Sequence, residues 1–368
     1  MKQLHFLSNS TIFSLHDSLI LQQVHKLPPI IVYTLLFTAS FIPTGANAID
    51  ITNQIYSPLN HPIGKPLNVR LVREEADRLL CLGRQQYASG SVDKTIESGL
   101  KALGIYHSLG DMNAQGLTYD LLASAYLQLG NLKDAEGAIR RRLGIARDNK
   151  DFKNHISALN NLATLLLQKG EPKAAGETIQ DALVIARNLD DIEGQGLSLS
   201  NLSLVYIRLG DYNQAIKLAE TALFFRRQTG NVIGEINTLN NLGDSYLMVG
   251  DYGNTIGAYG TAMRLAKMNS YRRDQLRAID GLVTAHSAVG RYERCLELLE
   301  QRLAIAKFLN SPNEELKYFL SSGQLHEQIR DYPKARNFYE QALSLARKLD
   351  DIKQEAKLMH SLNQLKGS

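Results

Sequence analysis

The sequence predicts an all-α solenoid built from helical hairpins. Three observations carry this: a glycine that returns every 40 residues, small residues that return with it, and apolar residues at helical spacing between them. The glycines are Gly90, Gly130, Gly170, Gly210, Gly250 and Gly290, with Arg330 in the next place. Seven residues before each stand Gly83, Ala123, Ala163, Ser203, Gly243, Val283 and Gly323, nearly all small. Five residues after each stand Thr95, Ala135, Ala175, Ala215, Thr255, Cys295 and Ala335. No insertion or deletion interrupts the series.

The N-terminal segment stands apart. Lys26 precedes an apolar run from Ile30 to Ile42, and Ala46-Asn47-Ala48 follows with small residues suited to a signal peptidase. Charged, apolar and small stretches in this order read as a secretory signal over residues 1–48, cleaved near Ala48. The run is short for a membrane-spanning helix, so an uncleaved anchor is the lesser alternative. The expected location is the periplasm or an equivalent extracytoplasmic lumen. Residues 49–70, with Pro58, Pro62 and Pro66, read as an extended linker. Seven repeats are expected over 71–355, and a short capping helix over 356–368.

Within each repeat the chemistry describes two helices. Leu159, Leu162 and Leu166 in one repeat, and Leu239, Leu242 and Tyr246 in another, form an apolar stripe that precedes the glycine. The glycine ends that helix in a left-handed conformation. Asp211, Asn131 and Glu171 come next and suit the start of a second helix. A second amphipathic helix such as AAGETIQDALVIARNL follows and ends in a polar loop such as Asp190-Asp191. Small residues at the facing positions let the backbones approach closely.

Composition narrows the function. The chain has 368 residues, 44% hydrophobic and 21% charged, with no Trp. A net charge of +4 over this length offers no concentrated basic face, so nucleic acid is not an expected partner. Cys81 and Cys295 lie five repeats apart, too far to bridge in an extended array, and neither follows a lipoprotein-type leader. No lipid anchor is therefore expected.

Leu122-Ala123, Tyr126, the stretch LGNLKDA and their counterparts in every repeat resemble the tetratricopeptide repeat over roughly residues 76 to 355. The 40-residue period, and segments such as QRLAIAKFLN, ALNNLA and TLNNLG, are similar to the longer repeats of kinesin light chains and Pins-type proteins. Arg142 and Arg302 depart from the pattern, replacing the alanine found at Ala182, Ala222, Ala262 and Ala342, and Ser322 replaces a leucine. The resemblance implies a right-handed superhelix with the first helices lining its concave face. A leader followed by a single array also resembles exported bacterial members, including the cyanobacterial PratA type. That layout implies a role in photosystem II biogenesis or manganese supply.

Inside the first helices, Leu79, Tyr119, Leu159, Leu199, Leu239, Ile279 and Phe319 form a packed apolar column. The two positions after it hold Asp120 and Leu121, Asn160 and Asn161, Ser200 and Asn201, Asn240 and Asn241, then Asp280 and Gly281. Asparagine is a mediocre helix former, so its recurrence needs a reason. One reading makes Asn160, Asn161, Asn201, Asn240, Asn241 and Asp280 a polar ladder that pairs with the backbone of an extended peptide. Arg277 and Lys317 would then favour an acidic segment or terminal carboxylate at one end of the groove. In the other reading the amides join neighbouring first helices.

Catalytic motifs fail on inspection. HEQIR at His326 begins like a zinc-protease helix, but Arg330 occupies the second histidine's place. His286 and His326 fill the column of Tyr126, Tyr206 and Tyr246 and read as packing residues. GQGLSLS from Gly194 lacks the third glycine of a nucleotide fingerprint. The acidic turns at Asp190 and Asp350 have oxygen donors for a hard cation but read as plain solvated turns. Neither enzymatic activity nor a cofactor is expected. The expected function is a monomeric, non-enzymatic, exported adaptor or assembly factor that binds a protein segment, a membrane protein complex in the PratA manner being one candidate partner. A self-associating envelope protein is a further alternative.

Overall fold

The computed structural model describes residues 69–365, so the leader and nearly all of the expected linker lie outside the described residues. Fifteen helices follow one another there. They are α1 (Val69–Ala88), α2 (Val92–Ser108), α3 (Met112–Gln128), α4 (Leu132–Asp148) and α5 (Phe152–Gln168). Next come α6 (Pro172–Asn188), α7 (Ile192–Leu209), α8 (Tyr212–Gln228), α9 (Val232–Met248) and α10 (Tyr252–Met268). The series closes with α11 (Arg272–Ala288), α12 (Tyr292–Phe308), α13 (Pro312–Gln328), α14 (Tyr332–Lys348) and α15 (Ile352–Gln364). Odd-numbered helices are the first members of the hairpins. The last begins at Ile352 rather than 356, because Asp351 caps it with an acceptor for the Gln354 N–H at 3.0 Å.

The repeat that shapes the backbone is half the length of the repeat in the side chains. Positive φ angles recur at Gly90, Gly110, Gly130, Lys150, Gly170, Asp190, Gly210, Gly230, Gly250, Ser270, Gly290, Asn310, Arg330 and Asp350. Turns inside hairpins and turns between them thus use one device. At Gly250, the Gly250 N–H donates to Leu247 O (3.1 Å) and the Asp251 N–H to Tyr246 O (2.9 Å), satisfying the last carbonyls of α9. Asp251 then accepts from the Asn254 N–H at 3.0 Å and opens α10. One residue closes a helix and starts the next. The Asp190-Asp191 and Asp350-Asp351 turns follow this rule: the first aspartate takes the left-handed conformation and the second is the N-cap. Asp211 and Asn131 cap as expected, whereas Glu171 makes no such bond, and α6 starts on Pro172 instead.

Across repeats, first helices stack on first helices at α1/α3, α5/α7, α7/α9 and α9/α11, and among the described residues no two second helices approach so closely. A layer that touches along one side and fans out along the other curves with the touching side inward, which makes the first helices the inner wall. Ala102, Ala182, Ala222 and Ala262, on the second helices behind these four boundaries, are fully buried. Behind α3/α5 and α11/α13 the same position holds Arg142 and Arg302, both buried, and the first helices stand apart. The final boundary, α13/α15, has Ala342 but lacks the close approach as well, its last helix being only 13 residues long.

Gly250 has open space where a Cβ would sit, so substitution there tests the backbone conformation alone. Gly250→Ala should cost about 1 kcal/mol, and Arg330→Gly should gain up to ~1 kcal/mol. Equal shifts from both in chemical denaturation would contradict the left-handed assignment.

Candidate functional site

The asparagines sit on the first helices α5, α7 and α9, just past the apolar column. Successive helix residues point 100° apart, so adjacent amides in a pair face different surroundings. Asn160 is 1% exposed, Asn240 0% and Asn241 2%, and these three are not free to line an open groove. Asn161 is exposed and Asn201 half-buried. Asp280, Arg277 and Lys317 also reach the surface, with side chains 47%, 40% and 36% exposed. The ladder expected from sequence thus divides into a buried seam and an open stripe.

The seam has a rule. A polar residue on one first helix binds the residues 38 and 41 positions ahead on the next. Asn160 Nδ2 donates to Ser198 Oγ (3.0 Å), and Asn201 Nδ2 donates to Asn160 Oδ1 (3.0 Å). One repeat on, Thr238 Oγ1 donates to Ser200 Oγ (3.0 Å), and Asn241 Nδ2 donates to Ser200 O (3.2 Å). The third instance fails. The positions ahead of Asn240 hold Ala278 and Gly281, and neither amide atom of Asn240 has a hydrogen-bond partner among the described residues. Tyr259, from α10, occupies this boundary instead. Its ring lies so close to Gly243 and Gly281 that a Cβ on either would overlap it.

Tyr259 Oη donates through the seam to Asp244, which also accepts from Arg277 Nη2 (2.6 Å). Arg277 Nη2 lies 3.0 Å from Asn241 Oδ1, so both ends of that amide are used. Burial, then the neighbouring Asp244 carboxylate, push the Tyr259 hydroxyl well above its ordinary pKa and keep it a donor.

The two arginines absent from the alanine pattern end the seam. Arg142 Nε donates to Asp120 Oδ2 at 3.0 Å, and the Asp120 carboxyl is raised by burial, which outweighs the pull of Arg142. Arg302 donates to Asp280 Oδ1 (2.6 Å), to Glu314 O (2.7 Å) and to Glu314 Oε2 (2.8 Å). Lys317 Nζ adds a bond to Glu314 Oε1 at 3.0 Å. Burial pushes the Glu314 carboxyl up, but Lys317 and Arg302 together outweigh it and hold it below the usual range. A third buried arginine, Arg226, reaches Glu193 across Gly196 and Gly234.

These constraints decide which amides stay open. Asn161 stands to Asp120 as Asn201 stands to Asn160 and Asn241 to Ser200, the place from which both bond backward. Asp120 is engaged by Arg142 and the helices are spread there, so Asn161 has no side-chain partner among the described residues. Asn201 donates to Asn160 and keeps its Oδ1 for another group. Ser157, Leu197, Asn237, Arg277 and Lys317 share one column of the repeat, polar except at Leu197, which continues the open stripe along the inner wall. Among the described residues, no group of three or more His, Cys, Asp or Glu side chains is placed to hold a metal ion, and both cysteines are free thiols. His286 and His326 are buried, the latter stacked on Phe338 at 5.3 Å. No described helix is long and apolar enough to cross a membrane.

This is a helical-hairpin array with a polar inner wall. Residues 155–228, 195–268 and 274–348 match a sequence model of the tetratricopeptide repeat, and residues 118–151 match a second model of that repeat. The matches take in more than half of the chain, which belongs to the tetratricopeptide-repeat family and folds as its all-α, right-handed superhelix. Among solved structures it is similar to RapI in its apo form, with TM-score 0.56 and 13% identity over 75% of this chain and 99% of that one. A Rap protein complexed with Competence and Sporulation Factor gives TM-score 0.51 and 13% identity over 80% and 98%. A signal transduction ATPase with numerous domains and a tetratricopeptide repeat sensor, from Pyrococcus horikoshii, gives 0.55 and 18% over 79% of this chain. This chain spans 46% of that ATPase. At these identities the likeness is one of fold. No curated protein sequence matches this chain.

Asn160 and Asn240 share a repeat position but differ in partners, which makes them a matched pair. Asn160→Ala strips partners from Ser198 and Asn201 and should cost about 2–3 kcal/mol. Asn240→Leu removes a buried amide with no hydrogen-bond partner among the described residues and should be neutral or stabilising by ~1 kcal/mol. Equal losses in denaturant unfolding would contradict the seam.

Proposed function

We propose that the chain is a non-enzymatic scaffold that holds an extended segment of a partner protein against its inner wall. One observation carries this: the seam fixes the orientation of the Asn201 amide, whose oxygen then faces open space beside the exposed Asn161. Asn201 has its Nδ2 committed to Asn160, so its Oδ1 is offered as an acceptor for a backbone N–H. Asn161 offers both a donor and an acceptor. Arg277 and Lys317, further along the wall, favour acidic residues at that end, although Asp244 and Glu314 already share their charge. A groove set by buried contacts loses little entropy when it is filled. Tetratricopeptide-repeat proteins bind protein or peptide partners, and the complex of the Rap neighbour supports the same use of this fold. The leader-like stretch from Lys26 to Ala48 supports a location outside the cytoplasm for the adaptor, where assembly of a membrane complex is one such task.

Display of a random peptide library on the full chain is the test. Selected peptides should bind with roughly micromolar affinity, and Asn161→Ala with Asn201→Ala should weaken them about 5- to 100-fold, at ~0.5–1.5 kcal/mol per bond. Peptides that ignore both substitutions would refute these residues as the contact. A library that yields no binder would refute the groove.

A further inference from the structure

The turn edge between hairpins carries a patch that the groove reading does not use. Met268 ends α10 and Phe308 ends α12, and with Ile352 they are the most exposed large apolar side chains among the described residues, at 75%, 71% and 78%. The corresponding positions in other repeats are Ser108, Asp148, Asn188, Gln228 and Lys348, all polar. Tyr271, 38% exposed, stands between them at an N-cap position that elsewhere holds Asp111, Asp151, Asp191, Asn231, Ser311 and Asp351. Tyr271 makes no capping bond, so α11 lacks the stabilising contact made at most equivalent turns. The two turns meet, for the Arg272 guanidinium lies 5.4 Å from the centre of the Phe308 ring.

Cations ring this patch. Lys267, Arg273 and Lys307 are exposed, and none has an ion-pair partner among the described residues. The acidic groups on the same turns are fewer and less available: Asp274 is half-buried with its carboxyl raised chiefly by that burial, Glu314 is engaged by Arg302 and Lys317, and Glu315 is half-buried. Apolar and aromatic side chains among lysines and arginines match the interfacial zone of an anionic bilayer. The patch's apolar residues are exposed at helix ends and turns. A headgroup layer can conform to such exposed turn residues, whereas a folded partner needs a surface shaped to them.

We propose that Met268, Tyr271 and Phe308, with Lys267, Arg272, Arg273 and Lys307, dock this edge of the array on an anionic lipid surface. The docking is peripheral and independent of the groove, whose residues lie on the inner wall.

The test uses the full chain with Cys81→Ser and an environment-sensitive fluorophore on Phe308→Cys. A second protein carries the label on Phe224→Cys, an exposed residue of α8 outside the patch. Vesicles of phosphatidylcholine with about one third phosphatidylglycerol should blue-shift the label at 308 but not at 224, and pure phosphatidylcholine should shift neither. In the 308-labelled protein, changing Lys267, Arg273 and Lys307 to Gln should raise the lipid concentration for half-maximal shift roughly tenfold or more, and so should 0.5 M salt. Because the N-terminal segment is common to all these proteins, its own lipid affinity cannot produce the difference. No shift at 308, or equal shifts at both sites, would overturn the proposal. A shift at 308 with an acidic amphipathic peptide and none with vesicles would also overturn it, assigning the patch to a protein partner.

Discussion

The three-residue turn is the constraint on which the array depends. A left-handed residue every 20 positions lets its own N–H and the next one close one helix, and at most of these turns an Asp or Asn side chain immediately opens the next. Because one residue serves both helices, the turn has no slack. Inserting a residue would separate the closing bond from the opening one. The equal spacing of the hairpins follows, and with it the alignment of columns that lie a full repeat apart in sequence but adjacent in space.

Column chemistry then sets how closely the inner helices stack. Alanine behind a boundary allows first helices to touch, and the seam of Asn160, Ser200, Thr238 and Asn241 forms between them. Arginine behind a boundary fills the gap with a buried guanidinium that needs a carboxylate, supplied by Asp120 or by Asp280 and Glu314. Tyr259 is a third solution, an aromatic ring laid between two glycines. Which amides face solvent is decided by these choices behind the wall as much as by the wall residues themselves.

The 40-residue period, the hairpins and the stripe of packed leucines were legible in the sequence because the same residue types recur. The 20-residue period was hidden, since Lys150, Asp190, Ser270 and Asn310 share a backbone conformation but little side-chain chemistry. Adjacent asparagines also looked equivalent, although a 100° step buries Asn160 and exposes Asn161. The reading that joined amides between first helices describes Asn160, Asn201 and Asn241, while the groove reading retains Asn161 and the open side of Asn201. Tyr259 left a faint sign in Gly243 and Gly281, spaced 38 apart on facing helices. Recognising it requires knowing that Ile139, Ile179 and Ala219 share its column.

The proposed partner segment lies along the inner wall, over exposed Asn161 and the Asn201 amide that Asn160 orients from beneath. Photocrosslinking from single positions tests it most directly. A photoreactive residue replaces Ser157, one turn before Asn161 on the exposed stripe of α5, or Val184, which is 55% exposed on the second helix α6. With a selected peptide bound, crosslinks are expected from position 157 and none from 184. Crosslinks from 184 alone would place the partner on the outer face and contradict it.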